Sequence, residues 1–224
     1  MATWGLHLRI AEEILDRGYD LDPVKFIVGN IGPDCGVPNE DRTKFDPPAE
    51  VTHWSDKGKK YIYPDRFFDA YLAEKVGDKE KRSFYIGYYT HLFVDKEWRK
   101  FIERKKKSDP AYASLKEDKS LIRIIKKDWY CLDHLYMRDN PDNIFFRIFQ
   151  YIDEFPNYLH YYERGAIMNQ VRFITDFYLN PPKNLDRKYT YLSLKEMDDF
   201  VDRTVFYIDE LLEQKQLVYA PAFA

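Results

Sequence analysis

The longest helical pattern in the chain is centred on Gly87-Tyr88-Tyr89-Thr90-His91-Leu92-Phe93-Val94-Asp95-Lys96-Glu97-Trp98. Apolar and aromatic residues recur around it with helical spacing, at Phe84, Tyr88, Trp98 and Ile102. His91 and Asp95 lie on the same face of the pattern. We therefore predict a helix from about Lys79 to Arg104 in which both side chains point into the protein. Residues four apart on a helix have Cβ atoms roughly 5–6 Å apart, close enough for an imidazole and a carboxylate to bind one cation. The alternative is a core histidine that is hydrogen-bonded to the aspartate.

Gly87 lies one turn before His91 in this helix. Glycine costs a helix about 1 kcal/mol relative to alanine. We therefore expect another backbone to approach closely at this position.

Length and composition indicate one globular domain, residues 1–224. Charged residues make up 33% of the chain and aromatic residues 17%, and 35 Lys+Arg against 38 Asp+Glu give a net charge of −3. Because no overall positive field would attract a polyanion, we expect no stable binding to nucleic acid.

The amino terminus shows no basic segment followed by an apolar run, and no stretch is long and apolar enough to cross a bilayer. Cys35 and Cys131 form no C-x-x-C pair and cannot provide a framework of disulfides. These features favour a cytoplasmic protein. The sequence leaves the oligomeric state, the native metal and the substrate open.

The segment before the central helix provides three further polar residues of interest. A first helix from Trp4 to Asp16 carries His7 on its buried face, and a short helix capped by Asp22-Pro23 leads to Asp34 just past its end. Between Pro33 and Pro64 the helical periodicity disappears, and His53 lies within Val51-Thr52-His53-Trp54-Ser55. A loop this long is uncommon in a compact domain unless it is functional, so we expect it to be ordered.

In the rest of the chain the residue pattern predicts helices and no alternating strands. The predicted ranges are Asp65–Gly77, Lys119–Met137 with His134 on the buried stripe, Asn143–Glu154, Tyr158–Tyr178 and Ser193–Gln216. The last begins with the capping-box spacing Ser193-Leu194-Lys195-Glu196. The fold class is therefore all-α, a multi-helix single domain with a long ordered loop.

Four of the five histidines, at positions 7, 53, 91 and 134, fall where burial or order is predicted, whereas His160 is predicted to be structural or exposed. Asp34 and Asp95 are the inward carboxylates that stand out. Imidazole nitrogen and carboxylate oxygen are ligands that zinc takes, and helical bundles build such sites from side chains on different helices.

The order of these motifs resembles the zinc-dependent phospholipase C family, whose all-helical fold is similar to that of the S1/P1 nucleases. The resemblance rests on His7, Asn30-Ile31-Gly32-Pro33-Asp34, Thr52-His53-Trp54 and the stretch from Gly87 to Asp95, and covers roughly the first hundred residues. It implies that the site is built mainly from residues 1–100.

Carried over to this chain, the resemblance implies two zinc ions. One would be held by Asp34, His53, His91 and Asp95, and the other by His7 with Asp95 as a bridge. His134, with Asp133 or Asp128, would complete the second site. The family's third site is not matched, because Glu97-Trp98 and His134-x-x-x-Arg138 stand where proline-histidine and His-x-x-x-Glu are expected. In the family an amino-terminal tryptophan, exposed by removal of a signal peptide, gives its main-chain groups to the second metal, whereas Trp4 of this chain is internal and no signal peptide is seen.

The expected function is hydrolysis of a small-molecule or lipid phosphoester by water activated between two metal ions, with Asp34 as ligand and base. Two cations about 3.5–4 Å apart clamp phosphate oxygens in such sites. Lipid phosphodiesters, nucleic acid ends and phosphate monoesters all fit. One alternative is an HD-type phosphohydrolase, which needs adjacent His-Asp, whereas only the reverse Asp133-His134 occurs. The other is a non-catalytic helical binding or structural protein with core histidines.

Overall fold

The computed structural model describes residues 1–40, 44–113 and 121–219. Its helices are α1 (Trp4–Leu15), α2 (Pro23–Gly29), α3 (Ala49–Thr52), α4 (Pro64–Tyr71), α5 (Lys79–Ser108), α6 (Pro110–Ala113), α7 (Leu121–Asp139), α8 (Ile144–Arg147), α9 (Ala166–Leu179) and α10 (Leu194–Gln214). Single 3₁₀ turns cover Gly32–Asp34 and Phe149–Tyr151. The all-α fold class is confirmed. Among the described residues, no helix combines the length and hydropathy that crossing a bilayer would require.

Side-chain caps fix where the helices begin. Thr3, Asp22 and Asp78 accept hydrogen bonds from the first-turn N–H groups of α1, α2 and α5. The predicted capping box of α10 is confirmed, because Ser193 and Glu196 each bind the other's backbone N–H. These caps set the register of α1 and α5, the helices that carry His7, His91 and Asp95.

The centre of the fold is the contact of α5 with α2. A Cβ atom added to Gly87 would overlap the carbonyl oxygen of Phe26, and one added to Gly29 would overlap that of Phe84. The close backbone approach predicted at Gly87 is therefore confirmed. It brings the end of α2, and with it Asn30, against the middle of α5.

The remaining helices pack around α5 through large aromatic side chains. Trp98 of α5 makes edge-to-face contacts with Trp129 of α7 at 5.1 Å and with Phe200 of α10 at 4.9 Å between ring centroids. All three rings are buried. Such pairs stabilise a core by about 0.5–1.5 kcal/mol beyond the area they bury.

The segment from Pro33 to Pro64 is ordered where it is described, as predicted, but it is not without regular structure. Besides α3 it holds two antiparallel pairs of two-residue strands, β1 (Val37–Pro38) with β2 (Phe45–Asp46) and β3 (Ser55–Asp56) with β4 (Tyr61–Ile62). The expectation of no strands is wrong here. Two residues are too short to show an alternating pattern.

Several predicted helix boundaries are also wrong. The element after Asp65 ends at Tyr71 instead of Gly77, and α5 continues beyond Arg104 to Ser108. The element over 143–154 breaks at Ile148, whose φ and ψ are −132° and −56°. The helix predicted over 158–178 begins only at Ala166, because Gly165 before it has a left-handed φ of 89°. The predicted start at Lys119 lies outside the described residues, and α7 runs to Asp139.

Candidate metal centre

Five of the predicted ligands come from four different elements and point to one buried place. His7 is on α1, Asp34 ends the first 3₁₀ turn, His53 follows α3, and His91 and Asp95 are one turn apart on α5. The side chains of all five are at most 7% exposed. The α2–α5 contact and the described parts of the Pro33–Pro64 segment thus bring these residues together.

Asp95 lies between three imidazoles. Its Oδ1 is 3.6 Å from Nε2 of His7, and its Oδ2 is 3.6 Å from Nε2 of His53 and 3.7 Å from Nε2 of His91. Nε2 of His53 also lies 3.3 Å from Oδ1 of Asp34. Two groups of potential metal ligands result, His7 with His91 and Asp95, and Asp34 with His53 and His91, each with ligand atoms within 4.8 Å of one another.

Most of these facing atoms have no hydrogen-bond partner among the described residues. They are both ring nitrogens of His7, Nε2 of His53 and of His91, and Oδ2 of Asp95, and all are buried. The distances between the histidines and Asp95 exceed the range of an N–H···O hydrogen bond. Burying a polar group without a partner is costly, so native proteins rarely do it. A divalent cation among them would satisfy several at once, which makes this donor set suitable for zinc.

The Nδ1 atoms of His91 and His53 contact protein groups outside the cluster. Nδ1 of His91 is 2.7 Å from the carbonyl oxygen of Asn30, to which it donates, and Nδ1 of His53 is 2.9 Å from Oγ1 of Thr52. A hydrogen bond at Nδ1 leaves the Nε2 lone pair toward the cluster, an arrangement common for metal-binding histidines. Asn30 is in place because α2 contacts α5.

A tyrosine network supports the two loop-borne candidates. Tyr88 donates to the carbonyl of Thr52 at 2.5 Å, and Tyr162 donates to the carbonyl of Gly32 at 2.6 Å. Tyr161 donates in turn to the hydroxyl of Tyr88 at 2.9 Å. Sequence reasoning missed Tyr161 and Tyr162, because nothing local indicates that the segment before α9 reaches α5.

Asp34 is contacted by two donors that sequence reasoning did not assign to it. Oδ1 accepts from Nζ of Lys59 at 3.0 Å, and Oδ2 accepts from Nε1 of Trp4 at 3.0 Å. Burial alone would raise the pKa of Asp34, but the charge of Lys59 and the imidazole of His53 hold that pKa well below its usual value. Burial likewise opposes ionisation of Asp95, and the nearby amino terminus with His7 and His91 lowers its pKa well below normal. Both carboxylates are therefore ionised at neutral pH.

Two of the imidazoles resist protonation. Burial lowers the pKa of His7 from 6.5 to about 4. Burial, reinforced by the charge of Lys59, lowers the pKa of His53 from 6.5 to about 3. Both rings are neutral at pH 7, the form that binds metal.

These shifts predict that the metal-free protein loses stability as the pH falls from about 6.5 to about 4. In this interval the unfolded chain protonates His7 and His53, whose unfolded pKa is 6.5, whereas the native state does not. His134 acts in the same direction, because burial lowers its pKa from 6.5 to about 4. Asp133 opposes the effect, because burial raises its pKa from 3.8 to about 7, but it is one group against three. We expect the free energy of unfolding to fall by about 3–5 kcal/mol, since each shifted pKa unit is worth about 1.4 kcal/mol.

Urea unfolding in the presence of a chelator at pH 7 and pH 4.5 measures this loss. The His53→Asn variant is the control, because it removes one of the three titrating histidines and should reduce the dependence of stability on pH. Stability that stays constant or rises over the interval would contradict the assignment of neutral, buried rings.

The other candidates lie apart from this cluster. His134 packs against Phe177 and Tyr178, with ring centroids 4.9 and 5.2 Å away, and belongs to neither group of converging ligand atoms. Its role as a ligand stays a prediction. Asp133 accepts hydrogen bonds from the hydroxyls of Thr3 and Tyr178, each at 2.7 Å.

Asp128 also has other partners. It accepts from the backbone N–H groups of Thr190 and Tyr191, each at 2.9 Å, and pairs with Arg187 at 2.7 Å. His160 is exposed, as predicted.

Comparison with known proteins gives one match. Residues 6–96 match a family model described as zinc dependent phospholipase C. No curated protein and no solved structure is significantly similar to the chain. The match covers less than half of the 224 residues, but it includes all five converging side chains. The predicted resemblance to this family is confirmed over that stretch, and it supports a metal-dependent phosphoesterase at family level.

Proposed function

From the match of residues 6–96 to zinc-dependent phospholipase C, we propose that this protein is a metal-dependent phosphoester hydrolase. The observation that carries the proposal is the set of Nε2 atoms of His7, His53 and His91, which face Asp95 in a buried site and have no hydrogen-bond partner in the described part of the chain. Hydrogen-bonded core histidines would not leave these atoms without partners.

Two ions fit the donor set. Asp34, His53, His91 and Asp95 would hold one, and His7 would hold the other together with Asp95, whose two oxygens face different histidines. When bound, such ions supply a water of lowered pKa and positive charge for the phosphate oxygens. The rigidity of α1 and α5 suits this task, because the ligands must hold their geometry during the reaction.

Asp34 is the proposed base. Its carboxylate is ionised, and Trp4 holds Oδ2 through a hydrogen bond of 3.0 Å, so that Oδ1 points toward His53. Asp34 would orient the attacking water and accept its proton while the bond from phosphorus to the leaving oxygen breaks. The leaving oxygen then takes a proton from solvent.

Neither alternative gains support from the structure. The histidines and aspartates of the cluster come from separate elements or lie one turn apart on α5. An HD-type site is instead built on a histidine and an aspartate that are adjacent in the sequence. A binding protein with structural histidines does not account for the unpartnered atoms. We further propose a single domain over residues 1–224, since α10 packs against both α1 and α5.

The substrate class follows from the family as a phosphoester, with a lipid as one option. Trp4, which donates a hydrogen bond to Asp34, also contacts the rings of Tyr130, Phe173 and Phe177, each at a centroid distance of 5.6 Å. Aromatic rings therefore lie near Asp34. This aromatic wall would accept an apolar part of the substrate.

The Asp34→Asn variant tests the proposal. We expect the rate constant for hydrolysis of bis-p-nitrophenyl phosphate to fall by about a hundredfold or more, the usual contribution of a general base. The matched control is Asp56→Asn, an exposed aspartate of the same segment. Hydrolysis by the wild-type protein should be abolished by a chelator and restored by zinc. Hydrolysis that survives chelation, or an unaffected Asp34→Asn variant, would contradict the proposal.

A further inference from the structure

The start of α1 and the two residues before it contact both carboxylates of the proposed centre. The backbone N–H of Ala2 donates to Oδ1 of Asp95 at 2.7 Å. Nε1 of Trp4 donates to Oδ2 of Asp34 at 3.0 Å. The other oxygen of each carboxylate, Oδ2 of Asp95 and Oδ1 of Asp34, lies 3.6 and 3.3 Å from Nε2 of His53. These two hydrogen bonds therefore fix how each carboxylate presents its oxygens to the imidazoles.

A buried carboxyl group on α7 anchors the start of α1. Oδ1 of Asp133 accepts a hydrogen bond from the hydroxyl of Thr3, and Oδ2 accepts one from the hydroxyl of Tyr178 on α9, each at 2.7 Å. The Tyr178 hydroxyl in turn accepts the backbone N–H of Gly5 at 2.6 Å. All four residues are buried, and a buried network with its partners satisfied is rigid. We call these four residues the α1 anchor.

The α1 anchor satisfies backbone groups that the helix itself cannot. The first N–H groups of a helix have no partner within it. In α1 the N–H of Gly5 binds the Tyr178 hydroxyl, and the N–H of Leu6 binds Oγ1 of Thr3 at 3.4 Å. The anchor also needs glycine at position 5, because a Cβ atom there would lie 2.6 Å from Cγ of Asp133. The start of α1 is therefore fitted to the Asp133 carboxyl group.

The placement of His7 depends on this start. The N–H of His7 donates to the carbonyl of Thr3 at 3.1 Å, and His7 lies two residues after Gly5 on α1. Nε2 of His7 is 3.6 Å from Oδ1 of Asp95, the oxygen that also accepts from Ala2. A displaced start of α1 would therefore move His7 and release Asp95 from its hydrogen bond at the same time.

The other proposed ligands depend less on α1. Asp34 ends the first 3₁₀ turn, His53 follows α3, and His91 is on α5. Asp133 belongs to neither group of converging ligand atoms, and both of its oxygens accept from hydroxyl groups. The effect of the α1 anchor should therefore fall mainly on the ion assigned to His7.

We propose that Asp133 and Tyr178 are positioning residues that set the affinity of the centre for its second zinc, the ion assigned to His7 and Asp95. This inference rests on the proposed two-metal phosphoesterase and specifies which residues outside the ligand set complete it. Without the α1 anchor, His7 and Asp95 would have to be ordered when zinc binds, and the affinity would fall.

Zinc titrations of the Tyr178→Phe variant test the proposal. The substitution removes the hydroxyl group and keeps the ring. Competition with a chromogenic chelator should show a loss of about tenfold or more in affinity for one zinc equivalent, the usual cost of losing a residue that orients a metal ligand. The affinity for the other equivalent should be nearly unchanged. The equivalent that is lost in His7→Ala identifies the second zinc.

Thr3 provides a second pair of variants. Thr3→Val keeps the shape of the side chain without the hydroxyl and should weaken binding of the same zinc equivalent. Thr3→Ser keeps the hydroxyl and should bind zinc as the wild type does. This pair also tests the proposal if Tyr178→Phe does not fold.

The matched control is Tyr112→Phe, which removes another tyrosine hydroxyl from a hydrogen bond of 2.7 Å. That hydroxyl donates to the carbonyl of Tyr191 and joins α6 to the segment before α10. Tyr112→Phe and Tyr178→Phe should both lower the free energy of unfolding. Only Tyr178→Phe should change a zinc affinity.

The outcomes separate the two proposals. If the wild-type protein hydrolyses bis-p-nitrophenyl phosphate and Tyr178→Phe keeps both zinc affinities, the positioning proposal is overturned while the hydrolase stands. If no phosphoester is hydrolysed but Tyr178→Phe loses affinity for the second zinc only, the positioning proposal stands and the hydrolase fails. Equal losses for both zinc ions, or the same loss in Tyr112→Phe, overturn the positioning proposal, as does a wild-type protein that binds no second zinc.

Discussion

His91→Ala is expected to remove stoichiometric zinc from the purified protein and to abolish its phosphoester hydrolysis. His91 belongs to both groups of converging ligand atoms, and its Nε2 has no other partner among the described residues. Loss of a residue that only supports a metal ligand costs about 10- to 100-fold in affinity or activity, so loss of this ligand should cost more than a hundredfold. Elemental analysis for zinc and initial rates with p-nitrophenyl phosphate measure the two effects.

The matched control is His160→Ala, which removes an exposed histidine and should keep both zinc and activity. His134→Ala is an informative third variant, because loss of one zinc equivalent would place His134 in the second site. Circular dichroism shows whether each variant is folded. A folded His91→Ala protein that keeps its full zinc content would contradict the proposed centre.

Gly87→Ala should destabilise the protein by about 2–3 kcal/mol, even though alanine is the better helix former by about 1 kcal/mol. An added Cβ at this position overlaps the carbonyl oxygen of Phe26 and lies 3.1 Å from the backbone nitrogen of Asn30. Backbone atoms cannot move aside as the end of a flexible side chain can, so α2 would have to shift away from α5. Urea unfolding monitored by circular dichroism measures the change.

Gly77→Ala is the control, because a Cβ there meets nothing within 4 Å. It should leave the free energy of unfolding nearly unchanged. If Gly87→Ala instead stabilises the protein, helix propensity dominates and the close contact of α2 with α5 is wrong. A displaced α2 would also withdraw the carbonyl of Asn30 from His91, so Gly87→Ala should weaken zinc binding where it folds.

Local patterns predicted the parts of the site that depend on helix periodicity. His91 and Asp95 share a face of α5 because they are four residues apart. Gly87 indicated that another backbone approaches α5, because glycine is unfavourable in a helix without such a reason, and the structure shows that this backbone is the end of α2. His53 was set apart by its ordered surroundings within a long loop. Convergence of these residues with His7 and Asp34 was implied by the family resemblance rather than by any local pattern.

The features that local patterns did not predict depend on contacts between residues that are distant in the chain. Lys59 meets Asp34 across 25 residues, and Tyr162 meets Gly32 across 130. The sequence around Lys59 resembles that of an ordinary surface lysine, and the sequence around Tyr162 resembles that of an ordinary core tyrosine. The breaks at Ile148 and Gly165 were missed for a related reason, because apolar periodicity continues through them while the backbone does not.

Anomalous diffraction at the zinc absorption edge, from crystals of protein purified without chelator, is the most direct test of the metal centre. Two peaks are expected, one within reach of Asp34, His53, His91 and Asp95 and one within reach of His7 and Asp95. Absence of anomalous density at this place, with the imidazoles hydrogen-bonded to one another or to water, would contradict the proposed centre.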